Sequence, residues 1–141
     1  MNAALPDPAL AGVPQRPLVF HPGPAHGELA DRLRKGVAGD VLFDAASRGR
    51  YATDASIYQV EPVGVLVPRT ADDVRAALAI CRDLRVPVLA RGAGSSQCGQ
   101  TVGAALVVDH SKHLDRVLAF DADAMTVTVE PGIVLDQLNA W

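Results

Sequence analysis

Pro87-Val88-Leu89-Ala90-Arg91-Gly92-Ala93-Gly94-Ser95-Ser96-Gln97-Cys98-Gly99-Gln100 is the stretch that sets the architecture of this chain. A β-like apolar run leads into a loop with three glycines and two serines between Gly92 and Gly99, and a second apolar run, Ala104 to Asp109, follows at once. Glycines let backbone N–H groups converge and let a ligand come close without Cβ atoms in the way. Several such amides form a concave, partly positive nest suited to phosphate oxygens. The loop therefore reads as a pyrophosphate cradle.

Upstream of the loop, Val63 to Val67 reads as a buried strand ended by Pro68. Thr70 is placed to N-cap a helix, with Asp73 completing a capping box. Val74, Ala77, Leu78, Cys81 and Leu84 then recur on one face, and Arg82 and Arg85 suit the negative end of the helix dipole. Val86 to Ala90 is the next strand. Strand, helix, strand at this spacing is a βαβ unit with parallel strands. That topology puts the glycine loop at the C-terminal end of a parallel strand, where α/β sheets bind ligands.

Further out, Leu29, Leu33 and Val37 mark an amphipathic helix from Glu28 to Val37, stopped by Gly36 and Gly39. Val41-Leu42-Phe43 reads as a short apolar staple, and Asp44 as the N-cap of another helical turn. Arg50 to Tyr58 has no clear period; a strap over a site and a plain connecting loop are both open. After the loop come a third strand, Leu106 to Asp109, and an antiparallel pair, Arg116–Phe120 and Met125–Glu130. Met125, Val127 and Val129 alternate with polar residues, which predicts one buried face. Val134 to Trp141 opens a helix with Val134, Leu135, Leu138 and Trp141 as its apolar side.

Composition narrows the function. The 141 residues carry a net charge of −3 and 4% aromatics, which excludes the basic footprint and stacking platforms of a nucleic-acid binder. No apolar run approaches the roughly 20 residues that span a bilayer, and no secretory signal pattern opens the chain, so a cytoplasmic location is expected. Cys81 and Cys98 form neither a zinc signature nor a disulfide framework and are expected as free thiols. His110 and His113 lack a third ligand, and Cys98 lacks an adjacent base, so no metal site and no catalytic residue is expected. Asp109 and Ser111 are placed either to orient a ligand or to cap the next turn. Arg91 is either a bidentate phosphate donor or a strand-end surface arginine.

Two familiar phosphate loops fail on spacing. A triphosphate P-loop needs a lysine followed by Ser or Thr, and no lysine lies between Lys35 and Lys112. A Rossmann fingerprint needs a third glycine and a helix opening on the loop, whereas Gln97 holds that place and a strand follows.

Arg91 to Gln100 instead resembles the pyrophosphate loop of FAD-linked oxidases of the vanillyl-alcohol oxidase and p-cresol methylhydroxylase (PCMH) type. Within that group the chain is similar to the FAD- and Fe–S-containing D-2-hydroxyacid dehydrogenases, the D-lactate and glycolate dehydrogenase relatives. Flanking segments carry the resemblance as well: Tyr51 to Ser56, Val67 to Thr70, Val86 to Val88, Asp109 to Ser111, and Val129 to Gly132.

The resemblance implies an α+β fold: a PCMH-type FAD-binding domain whose βαβ first subdomain has a small mixed sheet and whose second subdomain is only begun. It divides the chain into a Pro-rich leader over 1–25, a helical segment over 26–58 and an incomplete FAD-binding domain over 59–141. It implies that Ala90, Arg91, Gly92, Ala93, Gly94, Ser95, Ser96 and Gln100 hold the FAD pyrophosphate, with the Ser95 and Ser96 hydroxyls as added donors. Pro131 and Gly132 would sit near the adenine half or flavin edge. Ala93 stands where many relatives have glycine, which is tolerable if its φ stays negative. No histidine lies between Arg91 and Gln100, so the FAD is expected to be non-covalent. The implied activity is hydride transfer from a small 2-hydroxy acid to FAD in a longer enzyme. The catalytic domain and any Fe–S ligands would lie outside this chain, which is expected to be a fragment. A non-catalytic nucleotide- or anion-binding module is the alternative.

Gly94→Val is expected to abolish FAD binding, because a β-branched side chain blocks close approach and excludes positive φ. Parent-like affinity in a flavin fluorescence titration would remove the loop assignment.

Overall fold

The computed structural model describes residues 25–141. The leader assigned to residues 1–25 lies, but for Ala25, outside the described residues.

Helix α1 (Ala25–Gly36) is followed by strand β1 (Asp40–Leu42) and helix α2 (Ala45–Arg50). Strand β2 (Gly64–Val67), helix α3 (Ala71–Leu84), strand β3 (Val88–Arg91) and strand β4 (Leu106–Asp109) come next. A hairpin of β5 (Val117–Asp121) and β6 (Thr126–Val129) and the short helix α4 (Leu135–Ala140) complete the order. The first four strands form one mixed sheet in the order β1-β2-β4-β3, with β1 antiparallel to β2 and the other pairs parallel. The expected α+β fold with a small mixed sheet is what the chain adopts.

The βαβ unit forms with its strands parallel, but β4 lies between β2 and β3. Both β2 and β4 are buried along their whole length, whereas β3 is an edge strand and only partly buried. Val41-Leu42 is more than a staple: it pairs with Leu66 and Val65 as the other edge of the sheet. A three-residue strand is too short for a periodic signal, so only the partner reveals it.

Alternation along the central strands divides the core. Leu66, Leu106 and Val108 pack under α1 and α3 with Leu29, Leu33, Ala77 and Cys81. On the other face Val65, Val67 and Val107 pack with Leu42, Leu89 and Tyr51. Burial pushes the Cys81 thiol up to about 11, which fits an inert core residue. Leu78, expected on the buried face of α3, is instead half-exposed; Ile80 packs against the core in its stead.

Local chemistry sets the helix ends. Asp44 caps α2 by accepting the Ser47 amide at 2.8 Å. The Thr70–Asp73 capping box opens α3, and Arg85 closes it in the left-handed region at φ 54°. Asp73 reaches further: its carboxylate accepts the amides of Ala38 and Arg69, both at 2.8 Å, and of Thr70 at 3.3 Å. One buried carboxylate thus ties the α1–β1 connection to the start of α3.

The second sheet departs from expectation. Val127, Phe120 and Leu118 are exposed, Met125 sits in the turn at φ 53°, and the buried residue at the hairpin base is Glu130. Its carboxylate accepts Arg116 Nε at 3.1 Å and Nη2 at 2.8 Å, and the Arg116 amide at 3.0 Å. The buried face expected from alternation is absent, because among the described residues no layer covers the apolar side of β6. Val134, Leu135 and Trp141 of the last helix are exposed too. Phe120 meets Trp141 edge-to-face at 6.0 Å. No described helix is long and apolar enough to cross a membrane.

Asp73→Ala is expected to lower stability by about 2–4 kcal/mol, since it removes a cap and leaves three part-buried amides without their acceptor. Donors to the Asp73 carboxylate outweigh its burial and hold it below its ordinary 3.8, so this contribution is present above that pH and lost as pH falls through the folded value. Urea unfolding at neutral and acid pH should show a large difference between parent and variant at pH 7 that shrinks in acid.

Candidate functional site: a glycine loop under a strap

The C-terminal ends of β3 and β4 open into a cavity of about 320 Å³. It is lined by Arg91, Gly92 and Ala93 from the loop, Asp109, Ser111 and Lys112 from the end of β4, and Arg50 and Tyr51 from the end of α2. Parallel pairing brings Arg91 and Asp109 side by side as register partners. Three cationic side chains face one carboxylate, so the cavity favours an anion.

Among the described residues, none of the amides from Gly92 to Ser96 donates to a protein acceptor. A Cβ added at Gly92 would meet no atom within 4 Å, so that side of the loop is open for a ligand to approach. Ala93 stays out of the positive-φ region, which meets the condition for an alanine there. An unsatisfied amide run beside cationic side chains fits a pyrophosphate.

Gly94 plays a different part from Gly92. Its φ is +72°, and a Cβ there would lie 2.8 Å from Arg91 Cζ. The space it keeps free is occupied by arginine rather than by the ligand.

Arg50 to Tyr58 resolves as a strap across the loop. The Ala55 amide donates to the Gly94 carbonyl at 3.1 Å, and the Thr101 hydroxyl donates to Asp54 Oδ2 at 2.9 Å. Hydrogen bonds from Ser56, the largest influence, and from Thr101 outweigh burial and hold the Asp54 carboxyl at about 2. Tyr58 lies against Gly99. The Tyr51 hydroxyl donates to Asp109 Oδ2 at 2.6 Å. Burial first, then that hydrogen bond and the carboxylate charge, push the Tyr51 phenol up to about 12. Of the two roles expected of Asp109, the structure shows the cap, and it adds an anchor for the strap. Its Oδ1 caps the next turn by accepting the Ser111 amide at 2.8 Å and hydroxyl at 2.6 Å, while Oδ2 anchors the strap. Burial of Asp109 opposes ionisation, but these donors outweigh it and its pKa is lowered.

The remaining expected site residues fall in three groups. Ala90 lies within β3, and Ser95 is exposed on the loop. The Ser96 hydroxyl is engaged within the loop: it donates to Gln100 Oε1 and accepts the Cys98 and Gln100 amides, both at 3.3 Å. It shapes the loop exit, and Gln100 is tied to it. Pro131 is exposed and Gly132 buried, and neither lines the cavity. The Gly132 amide donates to the Leu114 carbonyl at 2.7 Å, and a Cβ would strike that oxygen and the His110 carbonyl. Gly132 thus allows the hairpin to dock on the segment after β4.

Arg50, Tyr51 and Lys112 are cavity residues that local pattern did not single out. Their signal is tertiary: Arg50 and Tyr51 lie at the end of α2 and Lys112 lies beyond β4, and only the fold brings these segments together. Cys98 is exposed and Cys81 buried, both as free thiols. Among the described residues no group of three or more His, Cys, Asp or Glu side chains is placed to hold a metal.

Comparison with known proteins agrees with this geometry. The sequence profile of the FAD binding domain matches residues 62–141. The chain is 38% identical over 112 residues to glycolate oxidase subunit GlcD of Bacillus subtilis (strain 168), covering 74% of this chain and 23% of that protein. It is 36% identical over 110 residues to D-2-hydroxyglutarate dehydrogenase of Pantoea ananatis (strain AJ13355), covering 76% of this chain and 11% of that protein. Among solved structures, alkyldihydroxyacetonephosphate synthase superposes with a TM-score of 0.70 at 18% identity, over 81% of this chain and 24% of that one. Substrate-bound p-cresol methylhydroxylase does so with a TM-score of 0.64 at 16% identity, over 82% and 24%. The chain therefore spans less than a quarter of the length of each of these proteins. Its fold is theirs and the profile covers more than half of it: the chain belongs to the FAD binding domain family.

Proposed function

We propose that this chain supplies the pyrophosphate-holding part of a flavin-dependent dehydrogenase that oxidises a small 2-hydroxy acid. The observation that carries the cofactor half is the run of unsatisfied amides from Gly92 to Ser96, open on the Gly92 side and flanked by Arg50 and Lys112. The substrate half is supported by the names of the relatives, which act on glycolate and D-2-hydroxyglutarate.

When bound, FAD supplies the hydride acceptor that no amino-acid side chain can provide. The residues of this chain bind and orient. Backbone amides of Gly92 to Ser96 take the phosphate oxygens, with the Ser95 hydroxyl beside them. Arg50 and Lys112 balance the charge from the opposite wall. Tyr51 stays neutral well above physiological pH, so its hydroxyl keeps donating to an ionised Asp109 while the anion sits nearby. Binding is non-covalent, since Arg91 to Gln100 contains no histidine. A cytoplasmic setting suits the exposed free thiol of Cys98.

Titration of the purified chain with FAD, read by flavin fluorescence, tests the cofactor half. Gly92→Val is the informative variant, because its side chain enters open cavity rather than protein. Its unfolding free energy should stay within about 0.5 kcal/mol of the parent, while FAD affinity falls at least about tenfold, as expected when a wedge blocks close approach. Unchanged FAD affinity in this variant would place the phosphates elsewhere.

A further inference from the structure

We propose that Arg91 is a positioning residue, which locks the glycine loop to the strap in its amide-converging shape and does not itself ligate phosphate. The inference rests on the FAD reading above and assigns this arginine a role within that site.

The backbone of Arg91 is fixed first. It ends β3, pairs with Asp109, and its carbonyl accepts the His110 amide at 2.9 Å. From that anchor the side chain folds back beneath the loop. Nη1 donates to the Thr101 carbonyl at 3.2 Å and to the Tyr51 carbonyl at 3.4 Å. The guanidinium carbon stands 5.2 Å from the centroid of the Tyr51 ring. The rest of the guanidinium fills the space that the missing Gly94 side chain leaves. One planar group therefore touches the strap at Tyr51, the middle of the loop at Gly94, and its exit at Thr101.

A phosphate ligand would present the guanidinium fork outward for bidentate contact. Here the group is committed to two protein carbonyls, an aromatic ring and the loop backbone. Its geometry is also particular to arginine. A flat guanidinium stacks on a ring and bridges carbonyls together, which a lysine ammonium does not reproduce. The exposed cations on the cavity wall, Arg50 and Lys112, are left to meet the anion's charge. The Ala55–Gly94 and Asp54–Thr101 hydrogen bonds then close the strap onto a loop whose inner side Arg91 already supports.

The consequence is a loop shaped before any ligand arrives, which reduces the ordering cost of binding. Three measurements on the full chain test it. In hydrogen exchange without FAD, Arg91→Met should speed exchange of the Ala55 amide at least about tenfold, the loss of a charge-assisted contact, while Leu66 and Val107 in the central strands stay protected. In FAD titrations over a range of salt, Arg91→Met should weaken binding with the salt slope of the parent, whereas Lys112→Gln should flatten that slope. Arg91→Lys should fail to restore either property.

Parent-like protection of Ala55 in Arg91→Met would overturn the proposal. So would a flattened salt slope in Arg91→Met together with rescue by lysine, which is the pattern of a phosphate ligand. If Arg91→Met does not fold, Tyr51→Leu removes the stacking platform and is read in the same way at Ala55. If the parent chain binds no FAD, the FAD reading fails for this chain, and exchange at Ala55 alone still decides whether Arg91 shapes the loop.

Discussion

Insertion of β4 between β2 and β3 is the constraint from which the site follows. A parallel pair aligns its C-terminal ends, so seating β4 beside β3 puts Asp109 opposite Arg91. The glycine loop joins these two strands, and its ends must return to neighbouring positions in the sheet. The amides of its first half, Gly92 to Ser96, are left without protein acceptors. Burial of β4 on both faces makes the arrangement rigid, because moving it would expose Leu106, Val107 and Val108 together.

A loop of this kind needs external support, and the chain provides it from a segment more than thirty residues upstream. Tyr51 is held by packing against Val65, Val67 and Val107 on one side and by Asp109 on the other. From that fixed ring the strap crosses the loop and meets it at Gly94, Gly99 and Thr101. Asp109 therefore couples three elements: the end of β4, the turn that follows it, and the strap. The glycines divide the work in a way their residue type alone does not reveal. Gly92 faces open space, Gly94 makes room for arginine, and Gly132 lets a hairpin dock against backbone.

The two sheets differ in how they are held. The four-stranded sheet rests on two buried apolar clusters. In the β5–β6 hairpin, the Arg116–Glu130 pair closes the base, and the Gly132 amide ties that base to the Leu114 carbonyl. The hairpin's apolar residues and those of α4 lie largely in solvent, apart from the Phe120–Trp141 contact.

Local sequence by itself determined the elements whose causes are local. The Thr70–Asp73 capping box, the Asp44 cap, the period-four face of α1 and the apolar runs of β2 and β4 act within a few residues of one another. The glycine loop was legible for the same reason, since its glycines and serines lie within eight consecutive residues. Strand order was not, because a parallel strand buried on both faces carries no sign of which neighbour it takes. The exposure of Val127 and the burial of Glu130 were also hidden: alternation shows that a strand has two unlike faces, not which layer covers either. Nor could sequence show that Arg91 turns inward, that Ser96 bonds to Gln100, or that Tyr51 and Lys112 join the cavity wall. Those facts depend on distances between segments far apart in the chain, and only the tertiary structure decides them.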